Sequence, residues 1–238
     1  MKDIHKKEGL NVPAAKLPEE AEAKDFRSSM SWRINRIEAE LVEGFQFIAD
    51  FPKSVTIFGS TRFNEKDEWY REARELGETL AKEKFVVVTG GGPGIMEAGN
   101  RGAYEADGES VGINIQLPME QRINPYVNHS HGFHYFFNRK LMLTYSAQAY
   151  VYFPGGYGTL DEFFEIITLI QTKKIETSIP VILVGKEYWA PICEIIEKNV
   201  YEKFGAIDKA DMKIYTLVDS AEEAMKIIRK SKPRNEWD

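Results

Sequence analysis

Six short, near-continuous apolar runs alternate with helical segments, and three of those runs end in glycine-bearing turns. This order predicts the α/β class: a Rossmann-like doubly wound parallel sheet with an N-terminal helical extension. Near-continuous apolar strands imply burial on both faces, as in a parallel sheet covered by helices, rather than the alternation of a half-solvated antiparallel sheet. The 238 residues are enough for one sizeable domain of this kind.

Residues 1 to about 28 are polar, contain Pro13 and Pro18, show no periodicity and read as an arm. From Ser31 to Ala49, Trp32, Ile34, Ile37, Leu41, Phe45 and Ile48 recur at helical spacing. They predict an amphipathic helix that covers a face of the main domain or a partner subunit. "KSVTIFGS" is the first strand, rich in β-branched residues and stopped by Gly59, and a charged helical segment follows over about 65–83. "FVVVTGGGPGIMEAGNRGAYEA" reads as strand, glycine turn and helix. "SVGINIQL", "QAYVYFP", "PVILVG" and "KIYTLV" supply further strands, with helical segments at about 138–147, 158–174, 187–199 and 220–230. "HGFHYFF" is a further strand candidate. The expected organisation is an arm and helix over 1–50, one nucleotide-binding catalytic domain over 51–232, and a tail over 233–238.

With 43% hydrophobic and 29% charged residues, the composition is that of a soluble globular protein. Lys and Arg number 31 against 37 Asp and Glu, a net charge of -6, which argues against extended nucleic-acid binding. Cys193 is the only cysteine, so an intramolecular disulfide is excluded and no metal cluster is suggested. The N-terminal stretch lacks the apolar core of a signal peptide, and no run approaches the roughly 18 to 20 apolar residues of a membrane span. A cytoplasmic protein without membrane or nucleic-acid partners is the expectation.

The turns "FGSTR", "TGGGPGIME" and "PGGYGTLDE" all follow strands, so a parallel sheet brings them to one rim, where open α/β sheets bind ligands. Any one tight turn can need glycine for structural reasons alone; three together favour a ligand approached by backbone N–H groups. Gly59 and Ser60, and Gly91 and Gly92, are candidate contacts. "GGGPGIM" does not continue to the Gly-Lys-Ser/Thr of a P-loop, and neither it nor "GGYGTLDE" completes a dinucleotide fingerprint. A smaller ligand with one phosphate fits better.

"FFNRKLML" places Arg139 and Lys140 at the start of a helix with Asn138 as its N-cap. The pair is either a solvated surface feature or a cationic site for phosphate, for which Arg is well shaped. "TLDE" matches a capping box, with Thr159 as cap and Glu162 reaching back. Glu162 also shares a face with Ile166 and Leu169, so partial burial would raise its pKa and suit proton transfer. Asp161, about 100° around the helix, is expected to be exposed.

"PGGYGTLDE", the preceding "RK" and the "GGGPGIME" turn together resemble the PGGxGTxxE signature of the LONELY GUY family, long described as possible lysine decarboxylase. The resemblance spans roughly residues 54–230, and the first 50 residues resemble the extension of longer bacterial members. It implies a dimeric Rossmann-like phosphoribohydrolase without cofactor. Such an enzyme cleaves a nucleoside 5'-monophosphate, AMP or a cytokinin riboside monophosphate, to free base and ribose 5-phosphate. By this resemblance Arg139 and Glu162 are catalytic, and Gly155, Gly156, Gly158 and Thr159 form the phosphate-binding turn with Lys140 beside it. Thr168 and Glu120 match further substrate contacts. "FFNRK" departs from the Met-His-x-Arg-Lys pattern of plant-like members, which leaves the base preference open. A non-catalytic nucleotide-binding or carrier protein would use the same glycine rim. A lysine decarboxylase would need pyridoxal phosphate and a Schiff-base lysine, which no local context singles out.

Overall fold

The computed structural model describes residues 26–116 and 123–233, with side chains from Met30 onward. Helix α1 (Phe26–Ala49) precedes the alternating series β1 (Ser54–Phe58), α2 (Glu68–Lys82), β2 (Val86–Thr89), α3 (Ile95–Glu105) and β3 (Ser110–Ile115). Then follow β4 (His129–Phe133), α4 (Phe136–Tyr145), β5 (Ala149–Tyr152), α5 (Tyr157–Gln171), β6 (Val181–Val184), α6 (Lys186–Ile195), β7 (Tyr215–Val218) and α7 (Ala221–Ile228). All strand pairs among the described residues are parallel, in the order β4-β3-β2-β1-β5-β6-β7. The chain starts in the middle at β1, winds outward to β4, and returns through α4 to lay β5 against the free side of β1. Thr56 of β1 is thereby in register with both Val88 and Tyr150. The reversal of direction leaves a crevice between the carboxyl ends of β1 and β5.

The inner strands β1, β5 and β6 are buried on both faces, and their period of two sorts side chains between two cores. Tyr150 and Tyr152 of β5, with Val181 and Leu183 of β6, pack on the side of α4, α5 and α6. Ala149, Val151, Ile182 and Val184 face the opposite layer of α2, α3 and α7. These helices cover both faces, as the apolar strands predict.

Helix α1 begins at Phe26, five residues before the start read from the sequence. Its carboxyl-terminal half supplies the expected contacts: Ile48 is buried, and Leu41 and Phe45 pack on the α4–α6 side of the core. The amino-terminal half does not, with Trp32 62% and Ile34 55% exposed. The extra strand lies slightly upstream of the "HGFHYFF" candidate, as edge strand β4. There Phe47 stacks on His131 at 5.4 Å, so α1 also shields the sheet edge.

Candidate active site

A cleft of about 790 Å³ opens at the β1/β5 crevice, a size suited to a small-molecule ligand. The turn after β1 contributes Gly59 to Phe63, the turn after β5 contributes Pro154 to Leu160, and Gly90, Met96, Phe136, Arg139, Leu143, Glu162 and Tyr188 complete much of the wall. The turns are fastened to one another by backbone bonds. Ser60 N–H donates to Pro154 O at 3.0 Å, and Ser60 O accepts from Ile95 N–H at 3.0 Å. From α6, Tyr188 Oη donates to Gly155 O at 2.7 Å.

The glycines in these turns have different reasons to be there. A Cβ at Gly155 would collide with Thr159 Oγ1, and one at Gly59 would press into Ile95, so both serve packing. A Cβ at Gly90 would strike the Arg139 guanidinium. Gly156 and Gly158 are another matter. A Cβ at either would meet nothing within 4 Å, neither has a positive φ, and both line the cleft. Their missing side chains leave the first turn of α5 open, where amide N–H groups have no intrahelical acceptor and the macrodipole favours an anion. An opening with these properties has the size and polarity that suit an anion such as phosphate.

One turn further along α5, Glu162 points inward and is 5% exposed. Its Oε2 is buried without a hydrogen-bond partner among the described residues. Burial pushes its carboxyl pKa up to about 7, although Lys140 and Arg139 act to lower it. Arg139 enters from α4, with Nε donating to Ile113 O at 2.9 Å and the guanidinium fitted against Gly90. Burial holds its pKa below the usual arginine value, with Glu162 opposing that shift. One wall of the cleft thus combines a buried carboxylate with an unpartnered oxygen and a guanidinium held in place by Ile113 O, beside the open amino end of α5.

Of the residues read from the sequence, Gly59, Ser60, Arg139, Gly155, Gly156, Gly158, Thr159 and Glu162 line the cleft together. Gly91, Gly92, Lys140 and Thr168 do not. Gly91 N–H is engaged with Thr89 Oγ1 at 2.9 Å, while the Gly91 and Gly92 carbonyls accept from Asn124. Lys140 Nζ lies 2.6 Å from Asp161 and 2.9 Å from Glu165, clamping α4 to the outer side of α5. Those partners raise its pKa against the lowering effect of burial. Asp161 is exposed, as its position on the helix predicts. Thr168 is also exposed and donates to Phe164 O at 2.6 Å. Glu120 lies outside the described residues.

Two local readings need correction. Helix α5 starts at Tyr157 with Gly156 as N-cap, so Thr159 is already inside the helix and Glu162 forms no capping box with it. Helix α4 starts at Phe136 with Tyr135 as N-cap, so Asn138 is also internal. Its side chain is buried and bonds to Glu40 and Ile37 O. Sequence reading also missed Gly90, Tyr188 and the buried amides behind the second turn. Asn100 Oδ1 accepts from Thr89 Oγ1 at 2.6 Å and from Asn124 Nδ2 at 2.9 Å, and Asn114 Nδ2 donates to Gly90 O at 3.3 Å. The polar Asn114 inside the "SVGINIQL" strand was the available signal; Tyr188, far along the chain, had none.

Among the described residues, no group of three His, Cys, Asp or Glu converges as a metal site, and no lysine lines the cleft. Residues 96–228 match the family described as "Possible lysine decarboxylase". A cytokinin riboside 5'-monophosphate phosphoribohydrolase of Rhodococcoides fascians is 29% identical over 159 residues, covering 64% of this chain and 78% of that protein. A pyrimidine/purine nucleotide 5'-monophosphate nucleosidase of Escherichia coli K12 is 25% identical over 195 residues, 78% of this chain. The match spans only 42% of that longer protein. Among solved structures, the structural-genomics target TM1055 superposes with a TM-score of 0.58 at 28% identity, covering 75% of this chain and 99% of that one. The molybdenum cofactor carrier protein of Chlamydomonas reinhardtii gives a TM-score of 0.56 at 19% identity over 75% of this chain and 96% of its own, a likeness of fold alone. With more than half of its length matched by the family and the PGGxGTxxE residues gathered at one cleft, this chain belongs to the LONELY GUY family, the group long described as possible lysine decarboxylases.

Proposed function

We propose that the protein hydrolyses the N-glycosidic bond of a purine nucleoside 5'-monophosphate, AMP or a cytokinin riboside monophosphate, giving free base and ribose 5-phosphate. The observation that carries this reading is Glu162: a buried carboxylate with an unpartnered oxygen, in the wall of a cleft whose rim is a phosphate cradle. A fold has no use for such a group, because burying it costs free energy that a solvated residue would not. A reaction that develops positive charge does.

The 5'-phosphate sits on the amides at the start of α5, next to Gly156 and Gly158. As the C1'–N bond breaks, its electron pair leaves with the base and C1' gains oxocarbenium character. Glu162 as carboxylate stabilises that charge and accepts a proton from the water that attacks C1'. Arg139 fixes the substrate and assists departure of the base, which takes a proton from solvent as it leaves, and Glu162 then returns the proton it took from water to solvent. Because Glu162 must be ionised, turnover should rise with pH through about 7.

A nucleotide carrier would share the cradle, and the carrier-like fold neighbour keeps this second reading in view. It gives no role to Glu162. Incubation with a panel of nucleoside 5'-monophosphates, followed by chromatography, separates the two. The enzyme reading expects stoichiometric free base and ribose 5-phosphate; binding of monophosphates with no base released would favour the carrier.

A further inference from the structure

Helix α4 carries Arg139 but does not cap itself. Its N-cap residue, Tyr135, makes no side-chain capping bond, and its first turn has no acidic residue. The exposed N–H groups and positive dipole end of a helix normally require such a partner. Here the partner comes from α1, almost a hundred residues earlier. Glu40 Oε1 accepts from His134 N–H at 3.0 Å, and Oε2 accepts from Tyr135 N–H at 3.2 Å and from Asn138 Nδ2 at 3.1 Å. Both carboxylate oxygens are used, and Glu40 is only 9% exposed. Arg36, one turn earlier on α1, lies 3.7 Å from it.

The bonded peptide leads directly to the cleft. Tyr135 O accepts the backbone N–H of Arg139 at 3.2 Å. Glu40 therefore holds one end of the peptide group whose neighbour anchors the Arg139 backbone, and through Asn138 it also holds the residue just before Arg139. At its far end, the Arg139 side chain has little tolerance: Nε is committed to Ile113 O, and the guanidinium fits only because residue 90 lacks a Cβ. A small shift of the first turn of α4 would break that fit.

We propose that Glu40 is a positioning residue for Arg139, making the N-terminal helix part of the active site although it lies outside the family match at 96–228. This rests on the phosphoribohydrolase reading above. Glu40 is not among the residues that line the cleft; it acts by fixing the amino end of α4. Its carboxylate matters in two ways, as a pair of acceptors for three donors and as a charge at the helix dipole. Glutamine at position 40 keeps one acceptor and loses the charge, so its effect should fall between those of wild type and alanine.

The test uses Glu40→Ala, Glu40→Gln and, as a control on the same helix, the exposed Glu38→Ala. Base release from AMP is measured in the wild-type and Arg139→Ala backgrounds, with melting temperature and hydrogen exchange on each protein. Mispositioning a catalytic group typically costs about 10-fold to 10²-fold in turnover. We expect Glu40→Ala to lower kcat/KM by that amount, Glu40→Gln by less and Glu38→Ala not at all. In the Arg139→Ala background the loss from Glu40→Ala should largely vanish, because the group being positioned is gone. General destabilisation would instead lower both backgrounds equally, and that result would overturn the proposal. If Glu40→Ala fails to fold, the same comparison is made with Glu40→Gln. Should the wild type release no base from any monophosphate, the functional reading fails, and exchange then tests the structural claim separately. Faster exchange confined to 134–139 in the Glu40 variants supports it; unchanged exchange there refutes it.

Discussion

Glu162 carries a carboxylate into surroundings that resist its ionisation. The periodicity with Ile166 and Leu169 made its burial legible in the sequence; the lone Oε2 was not, because it depends on which groups from other elements fail to reach it. Its folded pKa, about 7, lies above the ordinary 4.5, so the native state holds a proton that the unfolded chain gives up earlier. The protonated carboxyl is thus fully compatible with the fold below pH about 4.5, and stability is lost as pH rises through about 7. Glu162→Gln removes this dependence. Relative to wild type, the variant should gain up to about 3 kcal/mol between acid and mildly alkaline pH, less whatever the buried amide forfeits in unmet hydrogen bonds. Thermal melts of both proteins at a series of pH values read this directly: the difference should move in favour of the variant as pH rises. A difference that is flat with pH would mean Glu162 is solvated and ordinary.

At the level of elements, the start of α5 separates two kinds of glycine. Gly158 faces open space inside a helix, where Ala is the better helix former by about 1 kcal/mol. Gly158→Ala should therefore leave the melting temperature unchanged or slightly higher while raising KM for a monophosphate, since the new methyl projects into the cradle. Gly155→Ala should do the reverse in stability, because its Cβ would collide with Thr159. Calorimetry and steady-state kinetics on the two variants check the contrast; equal stability losses would show that Gly158 has a structural role after all. The same region shows why N-caps were misread. "TLDE" satisfies a local capping rule, but the N-cap is Gly156, three residues before Thr159, where the turn is held by Ser60 and Tyr188. In α4 the cap comes from Glu40, which no local pattern can announce. Strand existence was legible because burial on both faces leaves a local apolar run. Helix boundaries depend on distant partners.

For the whole molecule, strand alternation and the glycine turns specified the doubly wound sheet and the rim where the cleft forms. They did not show which apolar surface stays uncovered. Phe136 and Phe137 at the start of α4, Phe164 on α5 and Trp32 and Ile34 on α1 all expose large apolar side chains in the single chain. Exposed apolar area of this extent is costly in water, and a second copy would cover it. A homodimer is the expected assembly: light scattering at micromolar concentration should report about twice the 27.3 kDa chain mass. A monomer with full activity would contradict it. Among the described residues no helix is long and apolar enough to cross a membrane.

Base release and monophosphate affinity, assayed together on wild type and Glu162→Gln, decide whether the buried carboxylate meets a developing cation or only completes the fold. Loss of acid–base assistance predicts turnover reduced by about 10²- to 10⁴-fold with AMP affinity nearly retained, since the phosphate cradle is untouched. A Glu162→Gln protein that releases adenine at the wild-type rate would show that the carboxylate has no part in the chemistry.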